Sequence, residues 1–187
     1  MQGNTETIMS DTIASNTNVQ DPTLVSDQRS RGNDVIGLIV WLLICFGASA
    51  IGAVFTTAKI PEWYATLEKP SWTPPSWLFG PVWTLLYAMM AISAWMVWRR
   101  YGFAGAKLAL MLFLVQLAMN SAWSFLFFGL ERPAWAAIEI VLLWLAIVAT
   151  IVAFRKHSGI AAGLLIPYLL WVTFATALNI AIWRLNS

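Results

Sequence analysis

The sequence predicts an all-α integral membrane protein: a five-transmembrane-helix bundle with a structured loop between helices 1 and 2. Three observations carry this. The chain is 59% hydrophobic and only 11% charged, where soluble domains are about a quarter charged. Five stretches hold the roughly 20 apolar residues that cross about 30 Å of hydrocarbon. Between the first two lies a segment, Pro61 to Trp77, crowded with proline and tryptophan instead of the polar residues of a floppy connector.

Residues 1–33 differ from the rest. They are rich in Ser, Thr, Asn, Asp and Gln, with few large apolar side chains, so they bury too little surface to offset the entropy of ordering. They read as a disordered polar extension, and residues 34–187 as the membrane domain. The extension lacks the basic start and apolar middle of a signal peptide. The absence of a targeting signal favours a prokaryotic cytoplasmic membrane.

The spans follow in order. The first runs from Val35 to Thr57, and its small residues Gly47, Ala48, Ser49, Ala50 and Gly52 permit close helix approach. The second covers Phe79 to Trp98, the third Ala104 to Phe128 and the fourth Pro133 to Phe154. Pro81 and Pro133 fall in first turns, where a missing N–H costs nothing. The fifth span, Ile160 to Trp183, contains Pro167, which crowds the Gly163 carbonyl and predicts a kink. Basic residues set orientation. Arg29, Arg31, Arg99, Arg100, Lys107, Arg155 and Lys156 share the side of the N-terminus, against Lys59, Lys69, Arg132 and Arg184 opposite. The excess predicts a cytoplasmic N-terminus.

The loop is the first functional clue. Its prolines stiffen it, and Trp63, Trp72 and Trp77 avoid water, so it reads as an ordered lid over something. Polar groups inside the spans are the second, because each is costly in lipid. Gln116, Asn120 and Ser124 recur every four residues and line one helix face, with Trp123 beside them. Trp83 and Tyr87 form a similar pair, continued by Met90. Trp171, Ala175 and Asn179 share a stripe, with Tyr168 one turn earlier. Taken singly, the amides read as interhelical hydrogen-bonding groups, Trp98 and Trp183 as interfacial anchors, and Glu139 as a packing residue. Taken together, these side chains converge on the lid side. They predict a pocket of flat indoles with a few amides, suited to a large planar apolar ligand. Lys69 is placed to meet an acidic edge of that ligand.

These residues also carry a resemblance. Trp63-Tyr64, Lys69-Pro70, Trp72, Pro74-Pro75, Pro81-Val82-Trp83 and Leu86-Tyr87 match the tryptophan-rich sensory protein / translocator protein family (TspO/MBR, the peripheral-type benzodiazepine receptor family). So do Gln116-Leu117, Asn120, Trp123-Ser124, Phe127-Phe128, Pro167-Tyr168, Trp171, Phe174-Ala175, Leu178-Asn179 and Leu185-Asn186. The chain resembles this family from about Val35 to Asn186. The resemblance implies a five-helix bundle, usually a homodimer, with a cavity closed by the first long loop. Family members bind porphyrins such as protoporphyrin IX and haem. Many also bind cholesterol and synthetic ligands, and some bacterial members promote light- and oxygen-dependent breakdown of protoporphyrin IX. By this match Trp63, Trp72, Trp77, Trp83, Asn120 and Trp171 line the cavity, and Ala175 takes the small-residue position of the fifth helix. Two departures stand out. Ser71 replaces a second adjacent Trp of some bacterial relatives. The stretch Leu178 to Arg184 lacks the Tyr of the sterol-recognition pattern, so tetrapyrroles are preferred to sterol.

Composition narrows the alternatives. One Cys and one His cannot build a thiolate or histidine metal site, and His157 lies in the loop on the opposite face. A haem would therefore lack a histidine ligand, with Met90 or Tyr87 the remote substitutes, and no tightly bound cofactor is expected. A formal charge of +2 gives no reason to invoke nucleic acid. Three functions remain: a tetrapyrrole-binding receptor or sensor acting in tetrapyrrole homeostasis or stress signalling, a photo-oxidative protoporphyrin IX-degrading enzyme using Trp83 and Trp171, and a small transporter of porphyrins or sterols.

Overall fold

A computed structural model describes residues 22–187, with side chains from Gly32 onward. It falls into two units, one ending at Val35 and one running from Ile36 to Ser187; the cavity lies in the second. Most of the extension read as disordered, residues 1–21, lies outside the described residues. Residues 22–33 differ from that reading, because helix α1 spans Pro22–Lys59. The long apolar run nucleates the helix, and adding turns to an existing helix is cheap.

Helix α1 runs into a single π-helical turn, Ile60–Tyr64. Then come α2 (Ser76–Gly105), α3 (Lys107–Ser124) with a second π turn at Phe125–Gly129, α4 (Pro133–Arg155), α5 (Gly159–Leu164) and α6 (Ile166–Leu185). These form five segments long and apolar enough to cross a membrane. Only helices satisfy every backbone group within such a run, which is why hydropathy alone locates them. The kink predicted at Pro167 is a one-residue interruption: α5 and α6 meet at Leu165, whose backbone angles stay helical, and Pro167 sits in the first turn of α6. Near the end of α2, Gly102 takes φ 64°, a left-handed conformation that glycine adopts freely.

Without a hydrophobic drive between helices in lipid, close packing and hydrogen bonds hold the bundle. Buried Leu86, Met90, Leu110, Phe113, Ile140, Leu143 and Tyr168 share one core cluster. The Ser93 hydroxyl donates to the Ala161 carbonyl at 2.7 Å, tying α2 to α5. Helix α1 leans on α3. Trp41 meets Phe113 edge-on at 5.7 Å, Ser121 donates to the Ala48 carbonyl at 3.0 Å, and Phe55 meets Phe125 at 5.2 Å. At its end Lys59 pairs with Glu131 at 2.8 Å.

The loop after α1 is ordered by its own hydrogen bonds. The Thr73 amide and hydroxyl both donate to the Pro70 carbonyl, at 3.0 and 2.8 Å. Asn186, at the far end of the chain, accepts from the Glu68 amide and donates to the Glu68 carbonyl, each at 2.9 Å. Lys69 does not reach toward a ligand. Its ammonium donates to the Tyr64 and Leu67 carbonyls at 2.7 and 2.8 Å and lies over the Tyr64 ring.

Candidate ligand cavity

A cavity of about 350 Å³ opens at the loop end of the bundle. Helix α1 contributes Ser49, Gly52, Ala53, Thr56 and Thr57, and α2 contributes Ser76, Phe79, Gly80, Trp83, Thr84 and Tyr87. Asn120, Trp123 and Ser124 come from α3, and Trp171, Ala175, Leu178, Asn179 and Ile182 from α6. None of the lining residues is charged.

The two π turns lie at this end and complete the wall. The first turn delivers Ile60 and Tyr64 to the cavity, and the second delivers Phe127 and Phe128. Phe127 stacks on Trp123 with ring centroids 5.2 Å apart.

The amides are wired into the wall. Tyr87 donates to Asn120 Oδ1 at 2.8 Å, and Asn120 Nδ2 donates to the Tyr168 hydroxyl at 2.8 Å. Trp123 Nε1 donates to Asn179 Oδ1 at 3.0 Å, while Asn179 Nδ2 donates to the Pro133 carbonyl at 2.9 Å. Both amides spend their hydrogen bonds on other helices, so the surface shown to a ligand is mainly carbon and ring face.

An aromatic path runs from loop to core. Trp72 meets Phe174 at 5.7 Å, Phe174 meets Trp171 at 5.6 Å, and Trp171 meets Trp83 at 6.5 Å. Trp83 then contacts Tyr87 at 5.5 Å.

Of the residues singled out from sequence, the structure brings Trp83, Tyr87, Asn120, Trp123, Trp171 and Ala175 together around the cavity. It places four elsewhere. Trp63 packs on Phe127 and Phe128, one layer behind the lining. Trp72 covers Phe174 from outside. Trp77 is 73% exposed on the first turn of α2. Tyr168 is completely buried, its hydroxyl closing the network behind Asn120. Trp63 and Trp72 pack on neighbouring rings, while Trp77 projects outward.

Gln116, on the same stripe as Asn120, is buried deeper, and neither of its amide atoms has a partner among the described residues. Both Glu139 oxygens are buried without partners as well. Neither residue lines the cavity, and neither does Met90. His157 stays at the turn between α4 and α5, edge-on to Tyr101 at 4.9 Å. Among the described residues no three His, Cys, Asp or Glu side chains gather as a metal site.

Comparison with known proteins places this chain in a family. The model of the TspO/MBR family matches residues 40–184. The tryptophan-rich protein TspO of Archaeoglobus fulgidus is 42% identical over 154 residues, covering 82% of this chain and 99% of that protein. Protein CrtK of Rhodobacter capsulatus is 43% identical, covering 79% and 91%. The human translocator protein is 43% identical, covering 73% and 82%. With five membrane-crossing segments and a match across most of its length, this chain belongs to the TspO/MBR family of multi-pass membrane proteins.

Proposed function

We propose that the protein is a membrane receptor that binds a tetrapyrrole, protoporphyrin IX or haem, in the cavity beneath the first loop. One observation carries the reading: the cavity is walled by aromatic rings, has no charged lining residue, and its amides bond to the protein. Such a wall selects by shape and ring contact, which suits a flat apolar macrocycle. Ligand sites range over roughly 300–1,000 Å³, and this one, at about 350 Å³, is at the small end. A macrocycle therefore keeps one edge, with its carboxylates, outside the enclosed part.

No lining side chain is a histidine, methionine or cysteine, and of the two lining tyrosines Tyr87 donates its hydroxyl to Asn120. Recognition thus rests mainly on the ring, and the Tyr64 hydroxyl is the one tyrosine oxygen left to distinguish haem from metal-free protoporphyrin. The names of relatives, translocator protein and tryptophan-rich sensory protein, accord with a protein that holds a small ligand.

The test is a titration in dim light, following quenching of tryptophan fluorescence by protoporphyrin IX, with haem and cholesterol in parallel. An aromatic contact contributes about 0.5–1.5 kcal/mol, so Trp171→Phe weakens binding by about 2- to 10-fold while the fold is kept. Saturable quenching by cholesterol but not by porphyrin refutes the reading.

A further inference from the structure

The exposed part of the cavity wall is all on one side. Ala53 and Thr57 of α1 and Ser76, Gly80 and Thr84 of α2 are exposed, whereas every lining residue of α3 and α6 is buried or half-buried. The cavity therefore opens between α1 and α2. These helices touch at the end remote from the loop, where a side-chain carbon added at Gly37 would run into the Trp98 ring. They meet again at mid-depth, where Phe46 lies 6.4 Å from Tyr87. Beyond that point, toward the loop, α1 leans away from α2, on Phe125 of the second π turn through Phe55 and on Glu131 just after it through Lys59. A carbon added at Gly80 would find nothing within 4 Å.

The lips of this slot are chemically quiet. The Thr56, Thr57 and Thr84 hydroxyls donate to the Gly52, Ala53 and Gly80 carbonyls of their own helices, at 2.9, 2.8 and 2.9 Å. An apolar solute sliding past these three threonines strips water from no unpaired hydroxyl. The axial route is obstructed, because the loop is tied by Asn186 and Lys69.

We propose that the slot is a lateral gate, through which planar apolar ligands pass between the cavity and the acyl chains of the loop-side leaflet. The proposal rests on the binding reading above and adds the route. Plugging the gate slows both association and dissociation, whereas a damaged binding site lets the ligand leave faster.

The experiment uses the full chain in phosphatidylcholine nanodiscs and protoporphyrin IX, followed by stopped-flow tryptophan quenching. Ala53→Phe and Thr84→Phe place a ring in the slot from either lip. Both side chains also line the cavity, so the signature is read from the rates and not from Kd: association and dissociation each slow by about tenfold or more, whereas damage to the site alone speeds dissociation. Asn186→Ala, which loosens the loop, leaves association at the wild-type rate. Plugged variants that bind and release as fast as wild type overturn the gate, and so does faster association in Asn186→Ala. A wild type that shows no quenching at all overturns the binding reading and the gate with it.

Discussion

Replacing Asn120 by leucine tests whether the cavity wall is held by its polar network. Asn120 accepts from Tyr87 and donates to Tyr168, each at 2.8 Å, and all three residues are buried. Leucine is close to it in size, so the change removes two hydrogen bonds with little change of volume. In water-soluble proteins, two buried groups left unsatisfied cost together about 2–6 kcal/mol. The membrane reference state is gentler, since an unfolded helix in lipid also finds partners, and each bond there averages about 0.6 kcal/mol with a ceiling near 1.7. The second scale applies here, so the expected loss is about 1–3 kcal/mol.

The measurement is an SDS titration in mixed micelles, followed by tryptophan fluorescence and near-UV dichroism. Tyr87→Phe alone leaves Asn120 Oδ1 without its donor; the double variant leaves no such orphan. The double variant is therefore less damaged than the sum of the singles, with a coupling of about 0.6–1.7 kcal/mol for the pair. Strict additivity, or an Asn120→Leu protein as stable as wild type, refutes the claim that this network fastens α2, α3 and α6 around the cavity.

Three further outcomes are expected. Gly37→Ala forces the Trp98 ring aside and lowers stability by about 1–3 kcal/mol in the same titration; Gly47→Ala, with nothing within 4 Å, leaves it unchanged. Asn186→Ala removes two bonds to Glu68, so hydrogen exchange quickens across residues 65–75 without a shift of the global midpoint. Gln116→Leu replaces a buried amide that has no partner among the described residues and is neutral or stabilising by up to about 1–3 kcal/mol. A clear loss there means the amide is engaged in the folded protein.

The five spans were legible because lipid imposes a simple demand: about 20 apolar residues with every backbone group bonded inside the segment. The interruption at Leu165 was half legible, since Pro167 announces a lost hydrogen bond but not whether the helix bends or stops. Part of the wall was readable from helical spacing, as the pairs Trp83 and Tyr87, and Trp171 and Ala175, show. Phe127 and Phe128 were not, because the run Phe125 to Phe128 is apolar all round and has no periodic signal. They lie in the second π turn, and which of its rings turn inward is decided by the neighbours they pack against, such as Trp123 and Trp63. Loop tryptophans presented the converse difficulty. Composition shows that an indole avoids water, but not whether it takes a ligand, a neighbouring ring or the bilayer as its cover; Trp63, Trp72 and Trp77 lie outside the cavity lining.

The amides carried two readings along α3 and α6: singly, Asn120 and Asn179 read as ties between helices, and together with the indoles as polar groups of the pocket. In the bundle each spends its acceptor and its donor on other helices, so they hold the wall in place. This division has a functional consequence. A cavity whose polar atoms face outward into the wall can form in lipid without a ligand, and it discriminates by ring shape more than by hydrogen-bond pattern. Preformed aromatic walls of that kind admit several flat molecules at graded affinity, so what reaches the cavity depends strongly on the route that leads to it. On the proposed binding and gate, selectivity is shared between the rings of Trp83 and Trp171 and the width of the slot beside Ala53 and Thr84.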